Sequence, residues 1–179
     1  IDQAISAAAA IGCMQISIIL IDDMLDKDPR GEYHNIGEGA AANLASAFQA
    51  GGLDAINKSA ASSSAKLVAS QSLNRMMLVT ALGQHMDFQP DVDEEFYWEI
   101  VRTKSSPFFG ASFHIGALLG NAPPETASKI EHLGRIYGEM IQIHDDLNDA
   151  MATPANPDWV LGRFPLPILF AQSVNHPDK

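Results

Sequence analysis

The chain has 179 residues, 46% of them hydrophobic and 18% charged, which suits a folded domain with its own core rather than a disordered segment. Its formal net charge of −11 argues against nucleic acid as a partner, because phosphate binding needs a basic surface. Cys13 is the only cysteine, which excludes an intrachain disulfide and favours a reduced, cytoplasmic setting.

Apolar residues at helical spacing, interrupted by glycine and proline, predict an all-α chain without a strongly alternating strand. The predicted helices are residues 2–26, 37–49, 53–84, 93–103, 108–119, 124–151 and 160–174. Gly51 and Gly52 are expected to end the second helix, and Asp91 or Asp93 to cap the fourth. Pro107 is expected to separate the fourth helix from the fifth.

The apolar stretch at residues 4–21 has about the length of a membrane span. It also contains Ser6, Gln15 and Ser17 and much alanine, and acidic rather than basic residues follow it. The sequence therefore predicts a buried core helix and no stable membrane span.

Two acidic clusters with the same spacing, D-D-x-x-D, each end an apolar helix. Their members are Asp22, Asp23, Asp26, Asp145, Asp146 and Asp149. Positions i and i+4 share a helix face about 6 Å apart along the axis, where like charges repel. A hard divalent cation reverses that repulsion, and Mg²⁺ is the common choice where substrate phosphates share a site. One cluster alone would suit a solvated helix end. Two clusters at apolar helix ends favour facing metal sites at one end of a helical bundle.

Five segments resemble, in order, those of the trans-isoprenyl diphosphate synthases, also called polyprenyl synthetases. The first cluster is similar to the family's first aspartate-rich motif, and "GEMIQIHDDLND" to its second. "LGQHMDF" resembles the G-Q-x-x-D segment, and "RTKSSPFFGAS" resembles the K-T-x-x-L-F segment with Ser105 in place of Thr. "DWVLGRFPLPILFA" resembles the late D-x-x-x-G-K segment, with Arg163 in place of Lys. The resemblance covers residues 10–171.

The resemblance implies the isoprenoid synthase fold, an all-α bundle around a central apolar cavity with the two motifs across its mouth. About three Mg²⁺ would bridge the motifs to the diphosphate of an allylic substrate, Asp22 and Asp26 holding two and Asp145 the third. The implied reaction is a 1′-4 head-to-tail condensation of that allylic diphosphate with isopentenyl diphosphate. The implied assembly is a homodimer.

The resemblance implies that three residues outside the two acidic clusters are catalytic: Lys104, Ser105 and Gln142. Lys104 would contact diphosphate, whereas Ser105 and Gln142 would lie near the allylic cation and stabilise it with their dipoles. The alternative for Lys104 is a simple helix-end charge.

The resemblance also implies substrate-binding roles for Lys104, Arg30, Gln84, Asp87 and Arg163. Arg30 would contact diphosphate, and Gln84 and Asp87 would line or support the site. Gln84 could instead be a satisfied core amide, and Asp87 a turn residue.

The chain departs from the family in three places. Pro29 stands where the family has the first Arg of Arg-Arg-Gly, which removes one cationic contact and stiffens the loop. "AANLASAF" lacks the usual Gly-Asp. The N-terminal G-K-x-x-R segment and the C-terminal helices are absent, and the first residue is Ile. Residues 1–179 are therefore expected to form a single domain that is the central part of a longer isoprenoid synthase domain.

In the family, a large aromatic residue four or five positions before the first Asp stops product growth early. Those positions are Ile18 and Ser17, with Met14 and Cys13 one turn further back, so products of twenty carbons or longer are expected. A class I terpene cyclase is disfavoured, because residues 145–149 do not begin an N-D-x-x-S-x-x-x-E site. A non-catalytic partner subunit would fit the departures, but it has no need of two intact motifs.

Overall fold

The computed structural model describes residues 2–89, 93–154 and 162–175, and within these ranges all regular structure is helical. In chain order the helices are α1 (Asp2–Asp26), α2 (Tyr33–Ile36), α3 (Glu38–Lys58), α4 (Ser63–Met86), α5 (Glu94–Lys104), α6 (Ser106–Leu119), α7 (Pro124–Met151) and α8 (Leu166–Ser173). The predicted all-α class is confirmed, and the bounds of α1 and α7 are those expected from sequence.

The end of α1 is set by a left-handed residue. Lys27 has φ 56°, and the next amide, Asp28 N–H, donates to the carbonyl of Asp23 at 2.9 Å. This backbone pattern satisfies one of the last carbonyls of a helix. The chain therefore leaves α1 directly after the first acidic cluster and turns back toward it.

The predicted helix break at Gly51-Gly52 is wrong, because α3 continues through both glycines to Lys58. A Cβ atom on Gly52 would lie 2.9 Å from Met14 Cε and 3.0 Å from the carbonyl oxygen of Ala10. Glycine is needed here for the close approach of α1 to α3, not for termination. The break comes later, where Ser62 Oγ accepts the amide of Ala65 at 3.2 Å at the start of α4.

Two further differences from the predicted elements have simple local causes. α6 begins at Ser106, so Pro107 lies in its first turn, where a missing N–H is tolerated. The single turn α2 was not predicted; it buries Tyr33. The expected cap of α5 is confirmed, since the Asp93 carboxylate accepts the Phe96 amide at 2.8 Å.

The described residues divide into two compact units. The first contains residues up to Asn74 together with His114–Ser128, and the second contains Arg75–Phe113 together with the residues from Lys129 onward. The single domain predicted for the chain and its central apolar cavity remain predictions.

Each unit has an apolar core cluster of its own. In the first, Leu20 of α1 and Tyr33 of α2 pack with Ala41 and Ala45 of α3. In the second, Tyr97, Val101 and Leu169 are buried, and Trp98, Phe164 and Leu166 pack against them.

One side of α1 is buried. Its buried residues recur every three or four positions and are Ala7, Ala10, Met14, Ser17 and Leu20. This spacing is that of one helix face, and α1 packs on α3. The span Ala4–Asp26 is also long and apolar enough to cross a membrane: its most apolar 18-residue window has a mean hydropathy of 2.2, and 28% of that window is buried.

We expect Gly52→Val to destabilise the protein, because the added side chain meets the Ala10 carbonyl and Met14. Overpacking of this kind costs about 1–3 kcal/mol. Gly39→Val in the same helix is the control, since a Cβ atom there has no neighbour within 4 Å. Thermal unfolding followed by circular dichroism measures both. Equal midpoints for the two variants would show that Gly52 is not a packing contact.

Candidate active site

The first acidic cluster lies on the last turns of α1, and Asp22, Asp23 and Asp26 are all half-buried. Asp23 faces the returning chain, since a Cβ atom on Gly31 would lie 2.8 Å from the Asp23 Cβ. Burial raises the pKa of Asp23, and the nearby charge of Asp28 raises that pKa further. Asp22 and Asp26 share a different face, as the four-residue spacing requires.

The turn after α1 holds Arg30, which the sequence predicts as a diphosphate contact. The Asp28 carboxylate accepts the Arg30 amide at 2.8 Å, Nε at 3.1 Å and a terminal guanidinium nitrogen at 2.7 Å. These hydrogen bonds lower the pKa of Asp28 to about 2. The Arg30 side chain is 88% exposed, and surface pairs of this kind contribute little stability. The pair therefore holds Arg30 only weakly, and its role as a diphosphate contact remains a prediction.

The second acidic cluster lies near the C-terminal end of α7. Asp145 is exposed and Asp149 is half-buried, and the two share one helix face. Partial burial raises the pKa of Asp145, while the adjacent His144 opposes that shift and the Asp149 charge adds to it. A cation between Asp145 and Asp149 would relieve their repulsion.

Asp146 differs from its neighbours, because it is only 5% exposed and accepts three hydrogen bonds. Its Oδ2 atom accepts the Tyr97 hydroxyl at 2.5 Å and the Leu166 amide at 2.7 Å. Its Oδ1 atom accepts Gln142 Nε2 at 2.8 Å. Burial, and then the hydrogen bond that the Tyr97 hydroxyl donates to Asp146, raise the pKa of Tyr97, so the phenol stays a donor. Both oxygens of Asp146 are occupied by protein donors, which disfavours the metal-binding role that the sequence predicts for it.

Four of the other predicted residues come together in pairs in the second unit. Lys104 Nζ lies 2.6 Å from Asp87 Oδ2, and the two side chains are 23% and 27% exposed. Ser105 Oγ donates to Gln142 Oε1 at 2.7 Å. Gln142 therefore connects Ser105 to Asp146 through the two ends of its amide. The roles of these residues in binding or catalysis remain predictions.

Lys104 is positioned by a close approach of α4 to α5. A Cβ atom on Gly83 would lie 2.5 Å from the Thr103 carbonyl carbon and 2.6 Å from Lys104 Cα, so only glycine fits. The next residue, Gln84, is buried, and its Nε2 atom has no hydrogen-bond partner among the described residues. An amide in this state is expected to find a partner outside the described chain.

Arg163 precedes α8, and its guanidinium carbon lies 5.4 Å from the ring centre of Phe88, within the range of a cation–π contact. Both residues belong to the second unit. Arg163 is half-buried. This contact limits the positions that the guanidinium can take.

No group of three or more His, Cys, Asp or Glu side chains in the described ranges is arranged to hold a metal ion alone. One helix face of each motif offers two carboxylates, and Mg²⁺ usually completes its shell with water and substrate phosphates. A cavity of about 430 Å³ in the first unit, whose lining includes Ser62, His114 and Asn121, contains none of the predicted site residues.

Sequence reasoning missed Tyr97 and the Leu166 amide as partners of the second motif. Tyr97 lies seven residues before Lys104, which is two helical turns, so its position on the inner face of α5 could have been noticed. The Leu166 donor is a backbone group, and no residue type identifies it.

We expect Gly83→Ala to destabilise the protein, because a methyl group cannot fit beside the backbone of Thr103 and Lys104. Gly116→Ala on α6 is the control, since a Cβ atom there has no neighbour within 4 Å. In open space such a change stabilises a helix by up to about 1 kcal/mol. Urea unfolding gives both free energies. Stabilisation by both substitutions would contradict the close approach of α4 to α5.

The curated proteins similar to this chain include two archaeal prenyl diphosphate synthases. Geranylgeranyl diphosphate synthase of Methanosarcina mazei is 40% identical over 80 residues, covering 44% of this chain and 24% of that protein. Short chain isoprenyl diphosphate synthase of Methanothermobacter thermautotrophicus is 28% identical over 183 residues, covering 94% of this chain and 56% of that protein. This chain therefore spans less than two thirds of the length of either relative.

The fold is also that of known structures. The structure of geranylgeranyl pyrophosphate synthetase from the archaeon Geoglobus acetivorans matches with a TM-score of 0.85 at 25% identity, covering 98% of this chain and 60% of that one. The expected isoprenoid synthase fold is confirmed by this match. The sequence matches the Polyprenyl synthetase family over residues 1–179. With its two aspartate-rich motifs and this fold, the chain belongs to the polyprenyl synthetase family.

Proposed function

We propose that the protein is a cytoplasmic prenyltransferase that condenses an allylic diphosphate with isopentenyl diphosphate in a Mg²⁺-dependent 1′-4 head-to-tail reaction. The observation that carries this proposal is the pair of D-D-x-x-D motifs near the C-terminal ends of α1 and α7, in a chain of this family. The names of the relatives, geranylgeranyl and short chain isoprenyl diphosphate synthase, support it.

The donor set of the motifs fits Mg²⁺, which prefers carboxylate oxygens, water and phosphate. Asp22 and Asp26 on one face of α1, and Asp145 and Asp149 on one face of α7, would hold about three ions, with Asp23 beside the first pair. When bound, Mg²⁺ stabilises the negative charge that develops on the departing pyrophosphate. In this proposal the two motifs face each other and share one diphosphate.

Cationic side chains of the protein hold the diphosphate oxygens in this proposal. Lys104, held by Asp87 at 2.6 Å, donates to one phosphate group. Arg30 releases Asp28 and donates to the other phosphate group. Arg163 is the third cation of the set. Hydrogen bonds between charged donors and phosphate are short and strong, so these contacts orient the leaving group.

The reaction begins when the allylic C–O bond breaks and pyrophosphate leaves with the electron pair. The double bond of isopentenyl diphosphate then attacks the allylic cation, and a proton is lost from the adjacent carbon. The oxygen atoms of Gln142 and Ser105 are the groups proposed to face the cation. Fixed dipoles stabilise such a charge because they need no reorganisation during the reaction.

The proposed product has twenty carbons or more, because no aromatic residue stands at Cys13, Met14, Ser17 or Ile18. Ser17 is completely buried on the α1 face that packs on α3, so a phenylalanine there would overpack the helix contact. Product length is therefore best measured directly, by chromatography of the dephosphorylated products of the unaltered enzyme.

The proposed assembly is a homodimer. Leu67, Leu78 and Leu82 recur on one exposed side of α4, and the Leu78 side chain is 75% exposed. Exposed apolar rows of this kind mark interaction surfaces. We expect Leu78→Glu to halve the molecular mass measured by light scattering. The control is Leu133→Glu, at an exposed leucine of α7, which should leave the mass unchanged. A monomeric unaltered protein would contradict the dimer.

We expect Asp22→Ala and Asp145→Ala each to slow condensation on the order of 100-fold or more, as loss of even an outer contact to a metal costs 10- to 100-fold. Folding should persist, because each change removes a repelling charge. Asp54→Ala is the control, since Asp54 pairs only with Lys58 on the surface of α3 as far as the described contacts show. The full-length protein is assayed with an allylic diphosphate, isopentenyl diphosphate and Mg²⁺.

Three outcomes would contradict the proposal. Turnover of Asp22→Ala at the unaltered rate would remove the first motif from the mechanism. A cyclic product from farnesyl diphosphate alone would favour a terpene cyclase. A folded full-length protein without any turnover would favour a non-catalytic partner subunit.

A further inference from the structure

The Asp146 carboxylate limits how the neighbouring Gln142 amide can be oriented. An ionised carboxylate only accepts hydrogen bonds, so Gln142 can approach Asp146 only with its NH₂ end. Its Oε1 atom must then point the other way, toward the Ser105 hydroxyl, which donates to it at 2.7 Å. The chemistry of the partners therefore fixes which end of the amide is oxygen, a distinction that shape alone cannot make.

The three groups that contact Asp146 among the described residues are all donors, which is consistent with an ionised carboxylate. The Leu166 amide is the first N–H of α8, and a helix N-terminus favours negative charge. The Tyr97 hydroxyl supplies the second bond to the same oxygen. These two donors hold Oδ2, so Oδ1 is left directed at Gln142 Nε2.

Tyr97 itself is held by apolar packing, because its ring is buried against Val101 and Leu169. The phenol oxygen is the one polar atom on that ring, and it reaches from α5 to α7. Removal of the hydroxyl would leave the ring packing in place. It would leave Oδ2 of Asp146 with the Leu166 amide as its remaining partner among the described contacts.

We propose that Tyr97 is a positioning residue, which acts through Asp146 to fix the Gln142 amide so that its oxygen and that of Ser105 face the positive charge formed during allylic ionisation. This inference rests on the proposed function. It assigns Asp146 to the orientation of Gln142 rather than to metal binding. Tyr97 touches neither substrate nor metal in this arrangement.

The first test is Tyr97→Phe in the full-length enzyme. We expect kcat to fall about 10- to 100-fold, since small misplacements of catalytic groups have effects of this size. The KM values of both substrates and the half-saturating Mg²⁺ concentration should not change. Tyr137→Phe is the matched control, because Tyr137 is exposed and its ring packs on Phe109. Rates are compared per folded molecule, judged by circular dichroism and elution volume.

The second test is Asp146→Asn, alone and combined with Tyr97→Phe. The new Asn amide can donate to Gln142, which allows the Gln142 amide to flip and exchange its oxygen and nitrogen ends. We therefore expect kcat to fall further than in Tyr97→Phe, with the half-saturating Mg²⁺ concentration again unchanged. Because Tyr97 acts through Asp146, the double variant should be no slower than Asp146→Asn alone. A double-mutant cycle measures this coupling directly.

The results that would overturn the inference are specific. They are an unchanged kcat in Tyr97→Phe, a raised Mg²⁺ requirement in Asp146→Asn, or independent effects that multiply in the double variant. Failure of the proposed function would look different, because the unaltered full-length protein would then show no condensation at all.

Discussion

The buried carboxylate of Asp146 is the constraint on which the second unit depends. A buried charge is tolerated only when it is well hydrogen-bonded, and the three donors to Asp146 come from α5, α7 and α8. Loss of the carboxylate would leave the Tyr97 hydroxyl, the Gln142 amide and the Leu166 N–H without this acceptor at once. The same bonds that stabilise the helices therefore also position Gln142 and, through it, Ser105.

Helical geometry explains why one spacing, D-D-x-x-D, produces two kinds of aspartate. The first and last members share a face, while the middle one is rotated by about 100° around the helix. In the first motif that rotation turns Asp23 toward Gly31, and in the second it turns Asp146 toward Tyr97. In each case the middle carboxylate faces other groups of the protein, whereas the outer two share the face that is proposed to bind cations. Each copy of the motif therefore contains one aspartate whose contacts are with the protein itself, between the two aspartates that are proposed to bind metal.

The sequence was sufficient for the helical class and for the bounds of α1 and α7, because helical periodicity and punctuation are local signals. It failed at Gly52, since glycine marks both helix ends and close helix contacts, and only the position of Ala10 tells them apart. It did not anticipate the surroundings of Asp146, whose Oδ2 atom accepts a backbone N–H from twenty residues later. Contacts of this kind depend on which groups the fold brings together, so residue type alone does not reveal them. Lys104 and Asp87 were anticipated only in part: the resemblance implied that both belong to the site, but not that they contact each other.

Two of the three cations proposed to bind diphosphate already have carboxylate partners, which would change the energetics of substrate binding. Arg30 pairs with Asp28 at 2.7 Å and Lys104 with Asp87 at 2.6 Å, in a chain whose net charge is −11. In the proposed mechanism a diphosphate would therefore exchange with a carboxylate at Arg30, where the pair is exposed and weak. At Lys104 the pair is less exposed, so Asp87 is expected to remain bound to Lys104 and to orient its ammonium group. Since neither of these two cations offers uncompensated charge, Mg²⁺ at the aspartate motifs would supply much of the attraction for diphosphate in the proposed mechanism.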